Sequence, residues 1–272
     1  MPTLTTGGVL RRTMVVATAL CLFASSAQAA RLTVDPNQSF LTIGGKIDAS
    51  SVGGAGYANL VKQAQAAGSL TASYTGWVDI DLQPGTIQLL PGSNMVAATT
   101  GNWAPADLGP GNDPVGGSSP ANYGITIPQL GAFAQYNTLR LDFGAPTYAL
   151  PSTPVALGGG GTFDLAGQAM SFTTGRYAIV SGIGNGEDDV VGFPTVFGTS
   201  AADVGSWDGT TLIIPVHSTV TYTLQDTPAI YDTITFTGQI VAVIPEPSTM
   251  IMAGLGVVGL VTVGYRSRKR KA

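Results

Sequence analysis

The chain has 272 residues, 44% of them apolar and only 10% charged, with a formal net charge of −4. Seven of the twelve basic residues stand at the two ends (Arg11, Arg12, Arg266, Arg268, Lys269, Arg270, Lys271), which leaves residues 31–244 with five basic residues against fifteen acidic ones. An acidic body without a basic patch argues against nucleic acid as a partner, and 37 glycines with recurrent Ser and Thr suit an extracellular β protein better than a cytosolic enzyme.

The N-terminus has the order of a targeting segment. Arg11 and Arg12 make a positive start, residues 14–24 form an apolar run of eleven, and Ala27-Gln28-Ala29 places small residues where a signal peptidase reads them. This predicts a secretory signal peptide over residues 1–29, engaged by the secretion machinery and cut after Ala29. Eleven apolar residues are too few to span a bilayer comfortably. The arginine pair also opens a twin-arginine reading, for which Leu10, Thr13 and Met14 are a poor match. Cys21, the single cysteine, lies in the apolar run and leaves with it. The mature chain then has no thiol for a disulfide, a metal site or a nucleophile.

Residues 30–244 read as a secreted β domain. Period-2 alternation marks strands with one dry and one wet face. In residues 77–82, Val78, Ile80 and Leu82 alternate with Asp79 and Asp81; in 218–224, Val220, Tyr222 and Leu224 alternate with threonines. Residues 233–243 put Ile234, Phe236, Ile240 and Ala242 on one face, and Leu139, Leu141 and Phe143 form another short run. Further strands are expected at 31–34, 39–43, 69–74, 86–90, 161–165, 169–173, 176–180 and 211–216. Turns are expected at Pro84-Gly85, Pro91-Gly92 and Asp208-Gly209. Only residues 57–67 look helical. The fold class is all-β, a sandwich or jelly-roll-like body. Residues 109–120 lack periodicity and form either a long loop of one domain, the favoured reading, or a boundary between two modules.

Chemistry in this body is sparse. His217 is the single histidine, so a Ser-His-Asp triad is formally possible, but no Gly-x-Ser-x-Gly elbow accompanies it. Asp79 and Asp81 share a strand face, whereas catalytic carboxylate pairs usually come from separate elements flanking a cleft. Residues 184–189 form the densest acidic cluster; Glu187, Asp188 and Asp189 are a weak calcium candidate, set against a solvated turn, and no EF-hand spacing supports them. The four glycines at 158–161 lack the lysine of a phosphate loop and read as a turn. Tyr57, Tyr74, Trp77, Trp103, Tyr123, Trp207 and Tyr222 are either core aromatics or sugar-stacking ones.

The C-terminus carries the strongest signal. Pro245-Glu246-Pro247-Ser248 precedes an uncharged segment, 250–265, predicted as a single transmembrane helix; sixteen residues rise about 24 Å. Arg266, Arg268, Lys269, Arg270 and Lys271 follow as a basic membrane stop on the cytoplasmic side. The body then lies outside, as the signal peptide also requires. This tail, residues 245–272, resembles the PEP-CTERM sorting signal. The resemblance is confined to the tail and the signal peptide. It implies an exosortase as partner, cleavage near Pro245-Glu246-Pro247, and delivery to the surface or the extracellular polysaccharide matrix (biofilm) of a Gram-negative bacterium. The prolines fit that role, since they hold an extended segment just outside the membrane.

The expected function is that of a non-enzymatic exported surface or matrix protein with no cofactor, held in the membrane as a precursor. The alternatives are a carbohydrate-binding module acting on exopolysaccharide and, behind it, a secreted hydrolase.

Overall fold

Alternating apolar and hydroxyl side chains build strands, and the computed structural model is almost entirely strand. It describes residues 28–48, 50, 57–59, 61–62, 70–103, 119–128, 131–143, 152–165, 168–181, 184–191, 194–196, 203–226 and 229–245. In chain order the strands are β1 (Gln28–Val34), β2 (Phe40–Asp48), β3 (Tyr57–Asn59), β4 (Val61–Lys62), β5 (Thr71–Gln83), β6 (Thr86–Ala97), β7 (Gly101–Trp103), β8 (Ser119–Ala121) and β9 (Tyr123–Ile127). There follow β10 (Ala132–Phe143), β11 (Val155–Ala156), β12 (Thr162–Asp164), β13 (Ala169–Ser181), β14 (Gly184–Asp189), β15 (Pro194–Val196), β16 (Val204–Trp207), β17 (Thr211–Asp226) and β18 (Ala229–Val243). The fold class expected from the sequence is the one observed.

One large antiparallel sheet runs in the order β12-β16-β17-β18-β1-β5-β6-β10-β13-β14, with β2, β9, β11 and β15 attached beside this path; β7 and β8 pair separately. The sheet curls over its own inner face. β18 and β13 are five steps apart along the path, about 24 Å in a flat sheet, yet the Phe236 and Phe172 ring centroids are 5.5 Å apart. Tyr123 on β9 likewise reaches β2, donating a hydrogen bond to the Leu41 carbonyl at 3.1 Å. Leu32, Ile43, Val78, Ile80, Leu89, Leu141, Phe143, Ile214 and Ile240 belong to one buried cluster, drawn from both sides of residues 109–120.

Two interruptions shape the centre of the sheet. β1 and β2 run as one strand between β18 and β5, because Thr33 faces Val243 and Phe40 faces Gln239. The loop from Asp35 to Ser39 breaks it. Ser39, fully buried, repairs the gap: its hydroxyl accepts from the Val241 N–H at 2.9 Å and donates to the Val241 carbonyl at 3.0 Å. The second interruption is at Pro91-Gly92. A turn is expected there, but β6 continues through it as a bulge, the register against β5 jumping between Trp77–Asn94 and Asp79–Leu90. Ser93 takes over the ladder, accepting from the Asp79 N–H at 2.9 Å and donating to the Leu90 carbonyl at 3.0 Å. A proline, lacking an N–H, is tolerated at such a bulge.

The helix expected over 57–67 is not formed where the residues are described. Tyr57–Asn59 pairs with β2 and Val61–Lys62 with β9. Ladder hydrogen bonds to strands already in place outweigh a short segment's helical propensity. The segments 169–173 and 176–180 are one strand, β13, and 211–216 and 218–224 are one strand, β17. The turns at Pro84-Gly85 and Asp208-Gly209 lie where expected. Most of residues 109–120, the signal-peptide core and the predicted span at 250–265 lie outside the described residues. Among the described residues, no helix is long and apolar enough to cross a membrane.

Ser39→Ala removes one hydroxyl and leaves the buried Val241 N–H without its partner, while the Val241 carbonyl keeps the Asp35 N–H at 2.8 Å. The expected loss is about 2 kcal/mol, read as a lower urea midpoint at unchanged slope.

Candidate functional site

The C-terminal end of the described residues grows directly out of the sheet. Val243 is the last residue of β18 and is flanked on both sides, by Thr33 of β1 and Thr211 of β17. The Ile244 N–H donates to the Thr210 carbonyl at 2.9 Å. Pro245, which has no N–H to extend the ladder, is exposed and is the last described residue. Glu246, Pro247, Ser248 and the basic stop Arg266–Lys271 lie outside the described residues. At the other end Ala29 lies in β1 opposite Asp81, while Ala27 lies outside the described residues.

β1 is fastened to β5 by side chains. Both Asp79 oxygens accept from Arg31, Oδ1 from Nε at 2.8 Å and Oδ2 from an Nη at 2.7 Å. The guanidinium lies 4.7 Å from the Trp77 ring centroid, and the indole N–H donates to the Gly92 carbonyl at 2.9 Å. Hydrogen bonding to Asp79 raises the Arg31 pKa further. One face of Trp77 is thus occupied by Arg31. The carboxylate that joins this cluster is Asp142 of β10, which accepts from the Gly92 N–H at 3.1 and 3.0 Å and from the Phe143 N–H at 2.7 Å. Partial burial raises its pKa against the effect of these bonds, and the nearby Asp79 charge adds to the rise. Asp142 was not singled out by sequence; the Pro91-Gly92 bulge that brings β6 to it is a tertiary feature.

The remaining candidates are scattered. His217 is exposed on β17, and its Nδ1 is 4.0 Å from Asp203 Oδ2, beyond hydrogen-bond reach for a triad. Asp81 accepts from Gln83 at 3.0 Å. Residues 184–189, expected as a turn or calcium loop, form the strand β14, with Asp188 opposite Tyr177 and Asp189 opposite Arg176. The long neighbouring strand β13 supplies a ladder partner to each of these residues, and that outweighs their turn-like composition. Glu187 forms an ion pair with Arg176, so a guanidinium stands where a cation would need a free carboxylate. Among the described residues no three His, Cys, Asp or Glu side chains gather as a metal-binding group. Gly158–161 is a tight turn, closed by the Gly161 N–H on the Gly158 carbonyl at 3.0 Å.

Three of the aromatics are core. Tyr74 and Tyr123 are fully buried with their hydroxyls 3.1 Å apart, and burial pushes both phenols well above their ordinary pKa. Trp207 is also buried. The side chains of Tyr57, Trp103 and Tyr222 lie outside the described residues.

A shallow groove of about 540 Å³ runs along β13 and β14, lined by Thr138, Thr174, Arg176, Glu187 and Asp189 among others. Its margin contains the only non-glycine with a positive φ among the described residues, Thr138 at 55°. β10 bulges there, the register against β13 shifting after Asn137. Leu139 is buried below, its N–H donating to the Asn122 side-chain oxygen at 2.9 Å.

An antiparallel β body that ends at Val243 and passes at once into Pro-Glu-Pro defines a class: a β protein carrying a sorting tail. Residues 243–269 match the family described as the PEP-CTERM protein-sorting motif. The chain thus carries a tail of the PEP-CTERM sorting type, which implies an exported, exosortase-sorted precursor; the match leaves the β body outside it. No curated protein and no solved structure matches the chain.

Two measurements test this geometry. Because the folded-state pKa of Asp142 is raised, its ionised form opposes folding above that pKa, and the opposition disappears as pH falls through it. Asp142→Asn keeps Oδ1 as the acceptor for both N–H groups. The variant is expected to have the higher urea midpoint at neutral pH, the difference from wild type closing below the ordinary carboxylate range. Thr138→Gly removes a left-handed β-branched residue and is expected to gain about 1 kcal/mol in the same assay.

Proposed function

We propose that the chain is a non-enzymatic protein of the cell surface or the extracellular matrix of a Gram-negative bacterium. In this reading the signal peptide is removed after Ala29, an exosortase cuts near Pro245–Ser248, and the acidic β body is the delivered product, with exopolysaccharide as its matrix partner. The observation that carries the reading is the sorting motif beginning at residue 243, where β18 ends. Support for a non-catalytic body comes from the dispersal of its candidate groups: His217 is exposed and out of hydrogen-bond reach of Asp203, and Asp79 is held by Arg31.

A carbohydrate-binding body is the second reading. Its support is the groove along β13 and β14, where hydroxyls, carboxylates and a guanidinium converge as sugar hydroxyls require. No cofactor enters either reading.

Intact mass and terminal peptides of surface and membrane fractions from the native host provide the test. The expected product begins at Ala30 or Arg31 and ends between Pro245 and Ser248. A released protein that keeps Arg268–Ala272, or one recovered only from cytosol, rejects the proposal.

A further inference from the structure

We infer that the outer face of β5, β2, β18 and β17 binds a single uncharged polysaccharide chain, laid along β18 between two exposed aromatic rings, Phe40 and Tyr231. The inference shares its class of ligand with the second reading above but not its groove, and it does not depend on the sorting tail.

The face follows from alternation along the strands. Leu41, Ile43 and Ile47 on β2, and Ile234, Phe236 and Ile240 on β18, are buried, so the residues between them point outward. Register sets those outward residues in rows. His217, Thr237, Thr42 and Thr71 stand abreast on β17, β18, β2 and β5. Thr219, Thr235 and Gly44 make the next row, and Thr221, Thr233 and Lys46 the one after. Hydroxyls thus fill the middle of the face. The Thr42 and Thr71 hydroxyl oxygens are 2.8 Å apart, those of Thr221 and Thr233 3.2 Å. Each pair uses one hydroxyl proton, which leaves the other proton and several lone pairs for a ligand. Gly44 leaves a shallow dip over β2, where a Cβ would lie 2.9 Å from Thr235 Oγ1.

Rings stand at the two ends. Phe40 opposes Gln239 and Tyr231 opposes Asp48, so the two are eight positions apart along β18 (231 to 239). That is about 27 Å at the rise of an antiparallel strand. Phe40 is 40% exposed and Tyr231 46%. An exposed ring stacks on the apolar face of a sugar ring, while hydroxyls between the rings bond the sugar's edges and fix its orientation. The sheet's twist turns successive rows, so the face fits one flexible chain and not the flat surface of a crystalline polymer.

Charge selects the kind of chain. Among the described residues of these rows the formal charges are Lys46 and Asp48, one of each sign. The Asp48 carboxyl is held below its ordinary range by the bonds it accepts from Ser50 and by Lys46 beside it. The face is close to neutral on a body, residues 31–244, with fifteen acidic and five basic residues. A polyanion is repelled by that body and finds no surplus of positive charge on the face.

The test uses the full-length chain in detergent, its fold verified by a cooperative urea transition. It is run on native gels cast with hydroxyethylcellulose, galactomannan or dextran as uncharged polymers and alginate as the anionic one. At least one uncharged polymer is expected to retard the chain, and alginate is not. Phe40→Ala and Tyr231→Ala, both at exposed positions, are each expected to raise the dissociation constant on the order of tenfold, with little change in urea midpoint. Tyr231→Phe, which keeps the ring, is expected to lose less than Tyr231→Ala. Loss of binding in Arg176→Ala, with Phe40→Ala and Tyr231→Ala retarded like wild type, moves the ligand to the groove on β13 and β14 and overturns the inference alone. Retardation by alginate only also overturns it, as does self-association in sedimentation that the two alanine variants abolish, which gives the face to a second copy of the chain. No retardation by any polymer overturns it together with the second reading.

Discussion

The body depends on one placement: its last strand lies in the middle of its sheet. β18 is bonded along one edge to β17 and along the other to β1 and β2, the first strands of the chain. Pairing the two ends closes a loop of more than two hundred residues, the kind of long-range contact that makes all-β proteins fold slowly. The core cannot be sealed until the residues just before the sorting tail have paired. The end of the ladder and the start of the sorting motif therefore meet at the same few residues, 243–245.

Around that centre, irregularities are repaired from within. Ser39 and Ser93 are both buried at points where the ladder loses register, and each supplies from its hydroxyl the donor and acceptor the backbone lacks. A buried peptide group without a partner is costly, so each bulge is tolerated because a short hydroxyl side chain sits opposite it. The Pro91-Gly92 bulge also brings Asp142 to the Gly92 N–H and turns the Gly92 carbonyl to Trp77. The polar cluster of Arg31, Asp79 and Asp142 follows from strand irregularity and ties β1, β5, β6 and β10 together.

The strands were legible wherever one face is wet and one dry. Val78 and Ile80 are buried between half-exposed Asp79 and Asp81, and Ile234, Phe236, Ile240 and Ala242 all face the core, as their spacing requires. Other assignments failed for a common reason. Residues 57–67 resemble a helix locally, 184–189 resemble a turn, and Pro91-Gly92 carries the composition of one; where described, all became strand because a neighbouring strand offered its hydrogen bonds. The aromatics were only half legible. Alternation along β5 puts Tyr74 on the face of Val78 and Ile80 and Trp77 on that of Asp79, but their partners, Tyr123 and Arg31, come from strands distant in the chain.

The sequence by itself determined that the chain carries a sorting tail and what kind of structure it forms, because a sorting motif and a period-2 pattern are local properties of the chain. Tertiary structure decided what is accessible. Whether Arg31 is held by a carboxylate, whether Glu187 is free for a cation, and whether a tyrosine meets solvent or core all depend on which strand comes to lie alongside. That is settled by hydrogen bonds and packing between residues tens to hundreds of positions apart, which no local pattern encodes.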